Sequence, residues 1–267
     1  MTIAGSDSCA GAGVQADIKT MSSLGLYAAC CITAVTAQNT MGVRAVEAVS
    51  PNMLSAQIEA VLSDLDISAI KIGMIYTKEN VLAIKRSLIS CGYKGSIVLD
   101  PVLVATSGDA LAKEDFLSVF KAELLPMADL ITPNLQEAET LSAMTLCNVE
   151  QMEQAARKIQ SEYRVKNILI KGGHLQDGEM TDLLLTSEGK VQLFSSPKIH
   201  SENTHGTGCT LSSALCSFIA LGNPLTEAVG KAKDYISKAI LSSASLYLGH
   251  GHGAVNHLHS PQKLITF

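Results

Sequence analysis

Short apolar runs recur along the chain at residues 29–37, 69–74, 96–99, 129–132 and 167–171, each bounded by polar or glycine-containing turns. Runs of this length without alternation predict strands buried on both faces. Between them, residues 14–24, 52–62, 78–91, 116–124 and 150–163 place apolar side chains three and four positions apart, which predicts helices laid over a sheet. Strand and helix alternate, so the pattern predicts βαβ units and a mostly parallel sheet in an α/β fold. The pattern changes at 180–200, where two extended apolar segments flank Glu188-Gly189-Lys190 and predict an antiparallel hairpin at the sheet edge. No linker, repeat or low-complexity segment interrupts residues 1–267, and one domain is expected.

The predicted strands end in Gln38-Asn39-Thr40, Gly73-Met74, Asp100-Pro101, Thr132-Pro133-Asn134 and Lys171-Gly172-Gly173-His174. Ligands of open parallel sheets bind beyond the carboxyl ends of the strands, so these tips are expected to gather around one site. A loop from Asn203 to Thr210, reading Asn-Thr-His-Gly-Thr-Gly-Cys-Thr, opens onto the apolar run 211–221. It predicts a helix whose first N–H groups form an anion site, with Cys209 in the first turn, where the dipole favours a thiolate.

Composition narrows the partner. The 267 residues carry a formal net charge of -5, no tryptophan and 47% hydrophobic residues, with no basic run. Nothing indicates a nucleic-acid or membrane surface, and a small molecule is expected. Without a leader-type or membrane-spanning segment the chain reads as cytoplasmic. Seven cysteines without CxxC spacing read as reduced thiols.

Other motifs are weaker alone. Gly11, Gly13 and Ala16 match a dinucleotide-type GxGxxA turn, but residues 18–46 contain no acid to hold a ribose. These glycines instead suit close approach to a small substrate, with Asp17 turned towards it. No GxxxxGK[ST] sequence is present, so a phosphate would depend on the 206–209 helix start and on Lys171. Asp100 and Glu137 offer hard oxygen atoms on neighbouring strand tips, suited to Mg²⁺; alone, each would read as a turn or helix cap. The histidines at 250, 252, 257 and 259 fit no familiar metal spacing. His174 and His205 fall near the expected phosphates and are candidate hydrogen-bond donors.

Taken together, Thr2–Asp7, Gly11–Asp17, Thr33–Thr40, Lys71–Met74, Thr132–Glu137, Lys171–His174, Asn203–Thr210 and 249–257 resemble, in order, the ribokinase-like superfamily. Within it the chain resembles the hydroxymethylpyrimidine/phosphomethylpyrimidine kinase family of thiamine biosynthesis. The resemblance implies a three-layer α/β/α fold and a homodimer. It implies ATP-dependent phosphorylation of 4-amino-5-hydroxymethyl-2-methylpyrimidine and then of its monophosphate, with pyridoxine/pyridoxal kinase activity as the alternative. By motif, Gly5, Asp17, Gln38 and Met74 would line the pyrimidine pocket, and Cys209 would be the base. Gly206, Thr207 and Gly208 would hold the transferring phosphoryl group. Lys171, Thr204 and Asn134 would bind ATP, Asp100 and Glu137 would organise Mg²⁺, and Thr106-Ser107-Gly108-Asp109 would be a flap over the site.

Overall fold

In the computed structural model, residues 1–103, 114–173 and 179–266 are described. The proposed flap at 106–109 and His174 lie outside them. The elements run β1 (Thr2–Ala4), α1 (Gly13–Ser23), β2 (Cys30–Ile32), β3 (Ala34–Asn39), β4 (Gly42–Ala48), α2 (Pro51–Leu62), β5 (Ala69–Ile72), α3 (Lys78–Ser90) and β6 (Ser96–Leu99). They continue with α4 (Glu114–Glu123), β7 (Leu130–Ile131), α5 (Leu135–Ser142), α6 (Val149–Tyr163), β8 (Asn167–Ile170), β9 (Glu179–Leu185), β10 (Val191–Pro197), α7 (Thr207–Ala220) and α8 (Leu225–Ser243).

Eight strands form one sheet in the order β10-β9-β8-β7-β6-β5-β1-β2. The six from β2 to β8 pair in parallel, and β9 and β10 close the far edge as the expected antiparallel hairpin. Alternate residues of each strand face opposite helical layers. Ile70, Ile72, Leu99, Ile131 and Ile168 pack towards α2 to α6. Ala69, Val98, Leu130 and Leu169 pack towards α1, α7 and α8. The three-layer α/β/α arrangement follows.

The apolar run at 29–37 is not one strand. It pairs with β1 from Cys30 to Ile32 and no further, turns at Thr33, whose hydroxyl donates to Met74 O at 2.7 Å, and leaves the sheet as β3. There β3 forms a separate hairpin with β4, bulged between Ala37 and Gln38. The signal is the buried-exposed alternation that begins at Ala34. The helix at 225–243 was not among the sequence expectations.

Period-two placement puts Lys71 on the same face as Ala69, in the layer of α1 and α7. Its side chain is fully buried, and its ammonium donates to both carboxylate oxygens of Asp17 at 2.8 Å. Thr2 and Ser213 hydroxyls also donate to Asp17, each at 2.6 Å. Four elements, β1, α1, β5 and α7, thus meet at one carboxylate. Lys71→Met is expected to lower the unfolding free energy by roughly 3–5 kcal/mol, because it strands a buried charge. In urea titrations the double variant Asp17→Leu/Lys71→Met should recover part of that loss; equal or greater destabilisation of the double variant would count against a charge effect.

Candidate active site

Two glycines draw two helix starts together. Gly206 precedes α7 with φ 81°, and a Cβ there would lie 1.8 Å from Gly11 O. Gly13 opens α1 with φ 58°, and its Cβ would lie 2.4 Å from Gly5 O. Only residues without a side chain allow these backbones to touch. The Gly13 N–H also reaches the Cys209 thiol, so the sulfur sits between the two N-termini.

At the start of α7 the N–H groups of Gly206, Gly208 and Cys209 have no acceptor among the described residues. Thr207 differs from expectation: its N–H and its hydroxyl both bond to Thr204 O, at 3.2 and 2.7 Å, and brace the turn. Thr204 therefore contributes a backbone carbonyl to the loop, and its side chain is exposed. A Cβ on Gly208 would lie 3.5 Å from Lys171 Nζ and 3.7 Å from Asp100 Oδ2, so the free N–H groups, an ammonium and a carboxylate share one spot.

The neighbouring strand tips supply the charges. Asp100 Oδ1 accepts from Lys171 Nζ and from Thr132 Oγ1, both at 2.9 Å, and its Oδ2 accepts from Ser212 Oγ at 3.2 Å. Burial works against its charge, but Lys171 and Lys71 outweigh it and hold the carboxyl below the usual range. Glu137 and Asn134 form a reciprocal cap on α5: Asn134 Oδ1 accepts from Glu137 N–H at 2.8 Å, and Glu137 Oε2 accepts from Asn134 N–H at 2.7 Å. Asn134 also bridges to Lys171 through the backbone. Glu137 is buried, which raises its carboxyl to about 7; Lys171 opposes the shift and Asp100 adds to it.

On the opposite side, Gly5 and Met74 touch: a Cβ on Gly5 would lie 2.4 Å from the Met74 methyl. The bulge at Gln38 is pinned by Ser8, whose hydroxyl donates to Gln38 O at 2.8 Å and accepts from Gln38 N at 2.7 Å. Gln38 Nε2 stands 3.3 Å from His205 Nε2.

Two expectations are corrected. Asp17 does not face a pocket; it is 0% exposed and holds Lys71 inside the fold, because the α1 turn that carries it packs on β5 and α7. Cys209 is not poised as a thiolate in this state. Burial, with Asp17 and Asp100 nearby, pushes its thiol up to about 11 despite the Lys71 ammonium, so loss of solvent outweighs the helix dipole. Asp7 and Lys71 were missed as functional candidates. Both sit in apolar or glycine-rich stretches where a single buried charge is itself the signal. The carboxy-terminal histidines do not gather: His250 and His252 are exposed, His257 is buried and its ring is pushed down to about 4 by burial, and no metal-binding cluster occurs among the described residues.

Residues 7–256 match the family described as phosphomethylpyrimidine kinase. The hydroxymethylpyrimidine/phosphomethylpyrimidine kinase of Rhizobium meliloti is 47% identical, with 97% of this chain aligned to 96% of that one. The crystal structure of phosphomethylpyrimidine kinase from Clostridium difficile superposes with a TM-score of 0.78 at 42% identity, over 90% of this chain and 97% of its own. The ADP complex of Bacillus subtilis pyridoxal kinase gives a TM-score of 0.87 at 31% identity, over 96% of both chains.

The raised Glu137 carboxyl makes a pH prediction. The folded chain keeps its proton to about 7, whereas the ordinary value is 4.5, so ionising it costs stability as pH rises through that window. Glu137→Gln removes the cost. From pH 5 to pH 8 the variant should gain on the parent by on the order of 2 kcal/mol in denaturant unfolding; parallel pH curves would refute the assignment.

Proposed function

The chain belongs to the phosphomethylpyrimidine kinase family, and on that premise we propose how its residues divide the work of an ATP-dependent kinase of thiamine biosynthesis. The reaction phosphorylates the hydroxymethyl group of 4-amino-5-hydroxymethyl-2-methylpyrimidine and then extends the monophosphate to the diphosphate. The observation that carries the assignment is the meeting of free N–H groups, Lys171 and Asp100 at Gly208, directly beside Cys209.

Phosphoryl transfer depends on positioning and on charge placed where it develops. The N–H groups of Gly206, Gly208 and Cys209 hold the transferring phosphoryl oxygens, and Lys171 neutralises charge on ATP. Gly5, Met74 and Gln38 hold the flat heterocycle so that its hydroxyl oxygen faces the γ-phosphorus. The new O–P bond forms as the bond to the bridging oxygen of ADP breaks. In a loose transition state the hydroxyl keeps its proton until late. Cys209 takes that proton as a thiolate, a form the Lys71 ammonium favours and that exists once the thiol has released its own proton to solvent.

The carboxylate set suits a divalent cation. Asp100 and Glu137 share one ammonium, Lys171, and Glu137 stays near 7 for want of further positive charge. Asp100 has both oxygens engaged, so it and Glu137 would hold Mg²⁺ largely through water. Bound there, the ion would neutralise charge on the phosphates.

Residues 1–267 are read as one kinase domain. Pairing of two copies is also part of this proposal: exposed Met41, Leu246, Leu248 and Leu258 line one cavity and present apolar surface that a second chain would cover. No described helix is long and apolar enough to cross a membrane.

Comparison of kcat/KM for the aminopyrimidine alcohol and for pyridoxal tests the substrate; a hundredfold preference for pyridoxal would overturn the pyrimidine assignment. Cys209→Ala is expected to lower kcat about 10²-fold. Because kcat/KM follows ionisations of the free enzyme, its value in the parent should climb with pH towards the high thiol pKa, and the climb should vanish in Cys209→Ala.

A further inference from the structure

Asp7 and His205 form a buried pair next to Gln38. The Asp7 carboxylate accepts from the N–H groups of Cys9 at 2.9 Å, Gly11 at 3.0 Å and Ala12 at 2.8 Å, and His205 Nε2 lies 2.8 Å from its Oδ2. Asp7 is 2% and His205 6% exposed. The ring has no room to swing, because Gly11 lies against it so closely that a Cβ would come within 2.4 Å of His205 Cδ2. Its backbone is tied as well, by the bond from His205 N to Gly253 O at 3.0 Å.

An ionised carboxylate can only accept, so the His205 Nε2 that faces it carries hydrogen. That settles the neighbouring amide. Gln38 Nε2 stands 3.3 Å from this N–H, donor against donor. At its other end, Gln38 Oε1 stands 3.4 Å from Thr36 Oγ1, whose only hydrogen is directed to Ser6 O at 2.8 Å. Acceptor there faces acceptor. A half-turn of the carboxamide about its last bond mends both contacts together, and the two ends of an amide are distinguished by partners of this kind. The oxygen then takes the weaker share of a three-centre bond from the single His205 Nε2–H, whose nearer acceptor is Asp7 Oδ2, and the nitrogen donates to the Thr36 hydroxyl oxygen.

We propose that the Asp7–His205 pair is a positioning device that fixes which end of Gln38 faces which part of the substrate, and so sets selectivity among heteroaromatic alcohols. The proposal rests on Gln38 gripping the substrate ring, as read above. With its orientation fixed, Gln38 has one N–H and one oxygen lone pair left, side by side. They complement a ring nitrogen next to an exocyclic amine, the edge of an aminopyrimidine. Pyridoxal, whose ring nitrogen is flanked by a methyl-bearing carbon and a C–H and has no amine beside it, matches this pair less well. If the histidine loses its proton-bearing Nε2 or its carboxylate, the carboxamide turns freely and the discrimination falls.

The test combines one spectrum with kinetics. In protein labelled with ¹⁵N-histidine, the His205 resonance should show a protonated Nε2; an unprotonated Nε2 would overturn the assignment without reference to activity. Asp7→Asn and His205→Ala should each lower the ratio of kcat/KM for aminopyrimidine over pyridoxal about tenfold, the size of one lost hydrogen bond. The change should be carried by KM for the aminopyrimidine more than by kcat, and His205→Gln, which can still donate, should restore part of the ratio. If both substrates decline together in every variant, the pair is merely structural and the proposal fails. If the parent does not phosphorylate the aminopyrimidine, the substrate assignment falls and the selectivity role falls with it, an outcome that the parent's own kinetics distinguishes from failure of the pair.

Discussion

The buried contact between Lys71 and Asp17 is the constraint around which the site is arranged. A lysine with no exposed surface is tolerable only if its charge is matched. Here burial would pull the ammonium towards neutrality, but the Asp17 and Asp100 carboxylates keep it above the ordinary lysine value. Because Thr2 and Ser213 complete the shell of Asp17, the first strand, the first helix, the fifth strand and the helix behind Cys209 are fixed relative to one another. Cys209 stands on one of those elements, and Gly5, Met74 and Gly206 adjoin them.

The glycine contacts transmit that rigidity to the site. Gly13 and Gly206 let α1 and α7 begin almost in contact, which places two sets of N–H groups around a single thiol. The positive ends of the helices invite an anion, while the low-dielectric surroundings disfavour a resident one. Cys209 registers that conflict as a thiol that keeps its proton. On the proposed reading, an arriving phosphoryl group, which brings its charge already formed, would use the same donors without that cost of ionisation.

Fold and substrate choice are separable in this molecule. The backbone superposes at least as well on a pyridoxal kinase as on a phosphomethylpyrimidine kinase, although sequence identity is higher to the latter. The shared layers deliver strand tips and helix starts, and phosphoryl chemistry depends on those. On the proposal made above, selectivity would reside in side chains that reach across from the β3–β4 hairpin and from the loop after β1, where Gln38, Thr36 and Asp7 are found.

The sequence by itself determined the alternation of strands and helices, the edge hairpin, and the 203–210 loop as the start of a helix, because buried strands, amphipathic helices and glycine-rich helix starts each leave a local periodic or compositional mark. The contact of Gly5 with Met74 and the position of Lys171 beside Asp100 follow the order of those strand tips. Only the tertiary structure decided that residues 29–37 split between two sheets, that Asp17 turns inward to Lys71, and that Cys209 is protonated. It also decided that Asp7 meets His205. Each of these depends on partners far apart in the chain, on desolvation, or on which face of a strand a neighbour covers, and such balances between burial and charge exist only once the elements have packed.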